Sequence, residues 1–305
     1  MKAILCPAYG APEVLQLREV EKPVPRDNEV LIKLFAATVS AADYRIRSFT
    51  SPPLFWLPMR VILGIRRPRK PILGVELAGE IEAVGKQVRR LKPGDRVFGM
   101  TGMRFGAYAE YTCLPEKAVI TIMPDNVSYD DAAAVPFGGT TAMHFFRKGR
   151  INSGQKVLIY GASGAVGTAA VQLAKYFGTE VTAVCSGSNV HWVKALGADH
   201  VIDYTKESIT SGEKRYDLIF DAVGKLSRSA GKTMLAPGGS FVSVEGQGVA
   251  KELVEDLEFL IKLVKEGKYK PVIDRRYPLE QITEAHRYAE QGHKKGNVVI
   301  TIRPS

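Results

Sequence analysis

Apolar residues follow two different rhythms along the chain. In roughly the first 120 residues they come in short runs, Glu29–Ala36, Leu73–Val84, Arg96–Met100 and Ala107–Cys113, separated by turn signals. Gly74, Gly79 and Gly85 punctuate the second run, and Lys92-Pro93-Gly94-Asp95 makes a turn ahead of the third. Short strands with tight corners predict a β-rich, barrel-like domain. From Ser153 the rhythm changes. Lys156–Tyr160, Glu180–Cys185, Val201–Asp203, Asp217–Phe220 and Ser240–Val244 are runs of continuous rather than alternating apolarity, with helical patterns between them. Such runs mark strands buried on both faces, as in a parallel sheet covered by helices. Leu253–Lys265 reads as an amphipathic helix, after which Val272–Tyr277 and Asn297–Ile302 are extended pieces able to rejoin the first domain. The predicted class is α/β: a β-rich domain over 1–124 completed by 266–305, and a doubly wound parallel-sheet domain over 125–265.

One junction carries chemistry. Lys156–Tyr160 runs straight into Gly161-Ala162-Ser163-Gly164-Ala165-Val166-Gly167, and the helical stretch Thr168–Lys175 follows. A strand, a glycine turn and a helix in that order form the Rossmann signature for a dinucleotide. Gly161 and Gly164 permit the tight turn and the approach of a pyrophosphate to backbone N–H groups. Gly167 lets helix and strand pack closely, and the helix N-terminus favours the phosphate charge. Folds of this kind that prefer NAD end the second strand in Asp or Glu, which bonds the ribose 2′-hydroxyl. Here that strand ends Val184-Cys185-Ser186. With no carboxylate there, and with Ser186 and Asn189 as donors, NADP(H) is the expected cofactor. The same two residues could instead cap a helix starting near Asn189, and no Lys or Arg follows until Lys194.

Length and composition narrow the function classes. A chain of 305 residues exceeds the size at which one core usually keeps growing, so two domains are natural. The formal net charge of +10 favours anionic ligands, but no nucleic-acid recognition motif accompanies it, so no obligatory nucleic-acid partner is expected. The densest basic run, Arg66-Arg67-Pro68-Arg69-Lys70, reads as a solvated loop. Cys6, Cys113 and Cys185 are odd in number and far apart, which fits a reducing compartment and a cytoplasmic location. The greasiest stretch, Pro52–Leu63, is interrupted by Pro58 and Arg60, so no transmembrane segment is expected.

With these residues placed, the chain resembles the medium-chain dehydrogenase/reductase superfamily, and within it the zinc-free quinone oxidoreductase branch. The resemblance rests on Tyr9-Gly10-Ala11-Pro12-Glu13-Val14-Leu15, Gly74-Val75-Glu76-Leu77-Ala78-Gly79, Lys92–Val97, Gly106-Ala107-Tyr108-Ala109-Glu110-Tyr111, Gly139-Thr140-Thr141-Ala142, the glycine turn, and Leu196-Gly197-Ala198-Asp199 followed by Asp203-Tyr204. It implies a GroES-like catalytic domain interrupted by the Rossmann domain, an active site in the cleft between them, and a homodimer built mainly through the Rossmann domains. Zinc-dependent relatives bind metal through Cys, then His in a Gly-His-Glu motif, then a later Cys or Asp. Here the first two positions correspond to Ser40 and Val75, neither a competent zinc ligand, and no metal site is expected.

Without a metal Lewis acid, a conjugated acceptor is the easier substrate, because hydride addition to an enone or quinone leaves an oxyanion that hydrogen bonds can stabilise. The expected partner is therefore a small apolar carbonyl or quinone. The resemblance places Tyr44 as a hydrogen-bond donor orienting the substrate, with Ser40 beside it, although a packed core tyrosine is an equal reading. Thr141 is expected at the nicotinamide or its ribose, or else as the cap of a helix through Ala142–Phe146. Tyr204 is expected near the adenosine 2′-phosphate, Val223, Gly224 and Gly246 along the coenzyme at strand ends, and Asn297 closing over it. The segment Ser48–Arg69, with Phe49, Phe55, Trp56, Leu57 and Met59, is expected to line or lid the substrate pocket, or to contact a partner subunit or membrane surface. A reductase of simple aldehydes and a non-catalytic NADPH sensor or nucleic-acid binder on the same scaffold are the alternatives.

Overall fold

Runs rich in β-branched and apolar residues build the first unit around one long strand. The computed structural model describes residues 1–50, 53–210 and 215–304. Ser51, Pro52 and the Phe55 side chain, part of the segment singled out above, lie outside what is described. The chain divides into two units, 1–136 with 273–305, and 137–272. The boundaries expected at 124 and 265 fall 12 and 7 residues before these (136 − 124 and 272 − 265). The short helix Tyr129–Ala133 packs on the strands of the first unit, which is why the division follows it.

In chain order the first unit begins with β1 (Lys2–Leu5), β2 (Gln16–Glu19), β3 (Glu29–Thr38), β4 (Glu76–Val84), β5 (Arg96–Met100), β6 (Tyr111–Pro115) and β7 (Val119–Ile122). The second unit holds β8 (Lys156–Tyr160), β9 (Glu180–Cys185), β10 (His200–Asp203), β11 (Tyr216–Asp221) and β12 (Leu235–Ser243); β13 (Ile273–Pro278) and β14 (Asn297–Thr301) belong to the first again. The large sheet of the first unit runs β13-β14-β3-β4-β5-β7. One edge of β3 pairs along its length with β4, while the other is shared: Glu29–Lys33 pair with β6 and Ala36–Thr38 with β14. Val30, Ile32, Leu34, Leu77, Ile81, Val97 and Ile300 fill its core. The run expected from Leu73 becomes a strand only at Glu76. Gly74 turns the backbone at φ 97° and packs so tightly on Ala107 and Tyr108 that a Cβ would lie 2.8 Å from the nearer side chain. The strands β1, β2 and β7 are short and carry no strong pattern of their own.

The second unit is a five-stranded parallel sheet of order β10-β9-β8-β11-β12. Val157, Leu158, Ile159, Leu218, Ile219 and Phe220 are fully buried, as continuous apolarity requires of central strands. Helices Ala165–Tyr176 and Val254–Lys265 bring apolar faces to the unit's core. Gly139 allows close packing there, since a Cβ on it would meet Leu260 at 2.5 Å.

Candidate active site

Because β8 to β12 are parallel, the residues that follow them leave the same edge of the sheet, the usual position for a ligand in such folds. The helix after β8 starts at Ala165, three residues earlier than expected, with Gly164 as its N-cap. Ala165, Val166 and Gly167 form its first turn, where N–H groups have no acceptor within the helix. Gly161 sits at φ 78°, and its N–H and that of Ala162 both donate to Val184 O at 3.0 Å. Ala162 is fully buried with its donor so engaged, and its part is to tie the turn to β9. A Cβ on Gly167 would lie 2.2 Å from Gly161 O, whereas a Cβ on Gly164 would meet nothing closer than 3.8 Å. The turn thus leaves space above Gly164, beside Ser163 and the helix N-terminus, that suits a phosphate.

The loop after β9 is braced internally. Asn189 Nδ2 donates to Ser186 Oγ at 2.9 Å, and Trp192 Nε1 donates to Asn189 Oδ1 at 2.9 Å. The reading that this loop has no carboxylate needs revision. Asp203 ends β10 opposite Cys185, and a Cβ on Gly187 would meet its Oδ2 at 2.5 Å. Asp203 Oδ1 accepts from the Thr205 hydroxyl at 2.6 Å and the Thr205 N–H at 3.0 Å. The hydroxyl bond above all holds its carboxyl below the ordinary Asp range, so it is ionised at neutral pH. Scanning the end of the second strand misses this acid because it arrives from the neighbouring strand. Tyr204 beside it is half exposed.

Asp221 is a further residue the sequence reading passed over. Fully buried, it accepts from the N–H groups of Val223, Gly224 and Lys225 through Oδ1 and from Leu226 N–H and Ser243 Oγ through Oδ2, all at 2.9–3.3 Å. It fixes the turn that carries Val223 and Gly224. An acid closing an apolar strand ahead of a glycine, Phe220-Asp221-Ala222-Val223-Gly224, was the available signal. Gly246, at φ 70°, follows β12 and has open space around it. Thr141 lies inside the helix Pro136–Gly149, so it does not cap a helix beginning at Ala142.

In the first unit, Ser40 is the N-cap of the helix Ala41–Ser48. Its N–H and its hydroxyl both donate to Asp43 Oδ2, at 2.8 and 2.6 Å. Tyr44 follows, half-buried against the core, and Val75 is buried within it. Val39 N–H donates to Val298 O at 2.9 Å, which brings the buried Asn297 alongside Ser40. Ser40, Tyr44 and Asn297 thus gather at one end of β3 and β14. Around them lie buried and partly buried charges that the sequence did not reveal. The Thr38 hydroxyl donates to the fully buried Glu76. Lys294 Nζ donates to Gly296 O at 2.5 Å; burial pushes this ammonium down to about 8, opposed by Glu76, Asp274 and Asp43. Among the described residues, no group of three or more His, Cys, Asp or Glu is arranged to hold a metal ion.

Burial raises the Asp43 carboxyl to about 6 against the bonds from Ser40. Its folded pKa then exceeds the unfolded value of 3.8, so between these values the native chain keeps a proton that the unfolded chain has lost. Stability contributed by this group falls as pH rises through that window, by roughly 3 kcal/mol in all. Urea unfolding of the wild type and Asp43→Asn across the window should show the wild type losing ground to the variant as pH rises. Parallel pH profiles would defeat this expectation.

Comparison with known proteins identifies the family. Residues 26–125 match the alcohol dehydrogenase GroES-like domain and residues 196–300 a zinc-binding dehydrogenase domain. The chain is 34% identical over 323 residues to 2-methylene-furan-3-one reductase of Solanum lycopersicum, covering 98% of this chain and 79% of that protein. It is 31% identical, with the same coverage, to the chloroplastic NADPH-dependent alkenal/one oxidoreductase of Arabidopsis thaliana. Among solved structures, the quinone oxidoreductase from Coxiella burnetii superposes with a TM-score of 0.89 at 30% identity, covering 99% of both chains. The chain therefore belongs to the medium-chain dehydrogenase/reductase superfamily, in its quinone oxidoreductase branch, and is an oxidoreductase.

Proposed function

We propose that this protein is a zinc-independent, NADPH-dependent reductase that transfers hydride to a quinone or an α,β-unsaturated carbonyl. The observation that carries the proposal is the open side of the glycine turn at Gly164, at the start of a helix, in a chain whose two alignable zinc positions hold Ser40, already bonded to Asp43, and the buried Val75. The relative named for NADPH and for alkenal/one substrates supports both cofactor and acceptor.

When bound, the dihydronicotinamide supplies the hydride. The protein's residues hold, orient and compensate charge. The N–H groups of Ala165, Val166 and Gly167, at the positive end of their helix, would hold the pyrophosphate. Ser186, Asn189 and Tyr204 would hold the 2′-phosphate, with Lys206, whose Nζ is 3.9 Å from Asp203 Oδ2, offsetting the nearby carboxylate. Within the second unit, Val223, Gly224, Gly246 and Thr141 would border the rest of the coenzyme. With Ser and Val in place of ligands, charge arising on the substrate oxygen needs hydrogen bonds, and Tyr44 donates one. Asp43 positions that tyrosine by fixing the start of its helix through Ser40. The same reading places the protein in the cytoplasm with its three thiols free. It also includes a homodimer, supported by β12, which pairs on one side only.

Tyr44→Phe should lower kcat/KM for an enone about 100-fold while leaving NADPH affinity unchanged. Assays of the wild type with a quinone, an enal and a saturated aldehyde test the substrate class, and a preference for the saturated aldehyde would overturn it. Stoichiometric zinc needed for turnover would overturn the metal-free chemistry.

A further inference from the structure

Between Phe49 and Val75 the chain carries five Lys or Arg, namely Arg60, Arg66, Arg67, Arg69 and Lys70, and no Asp or Glu. The helix Pro53–Leu63 occupies the middle of this stretch and continues through Pro58. Its inner side is fixed. Met59 packs on the core and Leu63 is buried in it. The Arg60 guanidinium stacks 3.8 Å from the Phe49 ring centroid, with Tyr9 and Trp56 at 4.8 and 5.0 Å. Tyr9 donates to Gly64 O at 3.0 Å, and Arg69 N–H returns to Leu63 O at 2.7 Å, folding the basic turn back against the helix end.

The outer side is unpartnered and apolar. Leu57, Val61 and Ile62 are 67%, 56% and 57% exposed, followed by Ile65 at 71%. Of the residues the sequence singled out in this segment, Leu57 is the one that belongs to this exposed row. Arg66, Arg67, Arg69 and Lys70 are exposed beside them. Large aliphatic groups held rigidly in water are costly unless something covers them. The cover must accept bulky apolar groups and cations together, with no cation of its own required to meet an acid. Aliphatic side chains on one face, a tryptophan at its margin and flanking Arg and Lys are the combination that lies in the headgroup region of acidic lipid.

We infer that the helix Pro53–Leu63 and the basic turn after it dock this protein on an anionic lipid surface, with the helix lying in the plane of the interface. No helix among the described residues is long and apolar enough to cross a membrane, so the attachment is peripheral and reversible. It holds the enzyme where apolar substrates concentrate, but it stands independently of the proposed reaction.

Sedimentation of the full-length chain with large vesicles tests the inference. The protein should pellet with phosphatidylcholine vesicles containing phosphatidylglycerol, stay in the supernatant with phosphatidylcholine alone, and be released by high salt. Leu57→Asp/Ile62→Asp and Arg66→Glu/Arg67→Glu should each reduce the bound fraction about tenfold or more. Both variants replace exposed side chains, so thermal melts should confirm that they fold. In a Trp192→Phe background, Trp56 emission should shift to the blue on binding. Absence of binding to acidic vesicles, or binding that survives both variants, would overturn the inference. So would a self-association of the wild type abolished by Leu57→Asp/Ile62→Asp, which would make this face a contact between copies of the chain.

Discussion

Gly167→Ala is expected to destabilise the nucleotide-binding unit by about 3 kcal/mol and to abolish measurable NADPH binding, whereas Gly164→Ala should weaken NADPH binding with little loss of stability. The methyl at 167 would arrive 2.2 Å from Gly161 O and 2.7 Å from Ala162 Cα. Neither can retreat easily, because the N–H groups of both residues are tied to Val184 O. At 164 the methyl has room, with 3.8 Å to the nearest atom. Stability should therefore change by no more than about 1 kcal/mol, the usual cost of alanine at an N-cap. That room is where a phosphate is proposed to sit, so NADPH affinity should fall about tenfold or more. Thermal melts and titration calorimetry on both variants check the contrast. Equal loss of stability, or full affinity in Gly164→Ala, would remove the cradle from the account.

Arg47→Leu is expected to cost the first unit about 4 kcal/mol, measured by urea unfolding. Arg47 is completely buried yet charged. It donates to Gly10 O at 2.5 Å, to His286 Nδ1 at 3.3 Å and to Glu290. Burial first, and then the Arg47 charge, push His286 down to about 3, so at neutral pH the imidazole is neutral and can accept. Leucine would leave the buried His286 Nδ1 and the partly buried Gly10 O without this donor, while Glu290, about a third exposed, could turn to water. The larger part of the loss thus falls on the two neutral acceptors. A cost below about 1 kcal/mol would mean that water enters and replaces the guanidinium.

The sequence exposed what depends on local pattern. Continuous apolar runs located the parallel strands, and the spacing of Gly161, Gly164 and Gly167 located the turn with a distinct packing reason for each glycine. It concealed what depends on chain crossings. Asp203 comes under Gly187 only because β10 lies beside β9, and Asn297 meets Ser40 only because β14 lies beside β3. Asp43, Glu76 and Arg47 read as ordinary surface charges until the fold buries them. The helix Pro53–Leu63 was hidden for another reason: Arg60 finds three aromatic rings to lie against, and the helix persists through Pro58.

The shared edge of β3 also bears on how the protein is made. Residues 29–33 find β6 soon after they leave the ribosome, but residues 36–38 wait for β14, which is synthesised only after the whole of 137–272. The parallel-sheet unit can therefore fold during translation while the other keeps part of a central strand unpaired. For that interval the nascent chain presents an apolar edge to its surroundings, the state in which a chaperone is most useful and aggregation most probable.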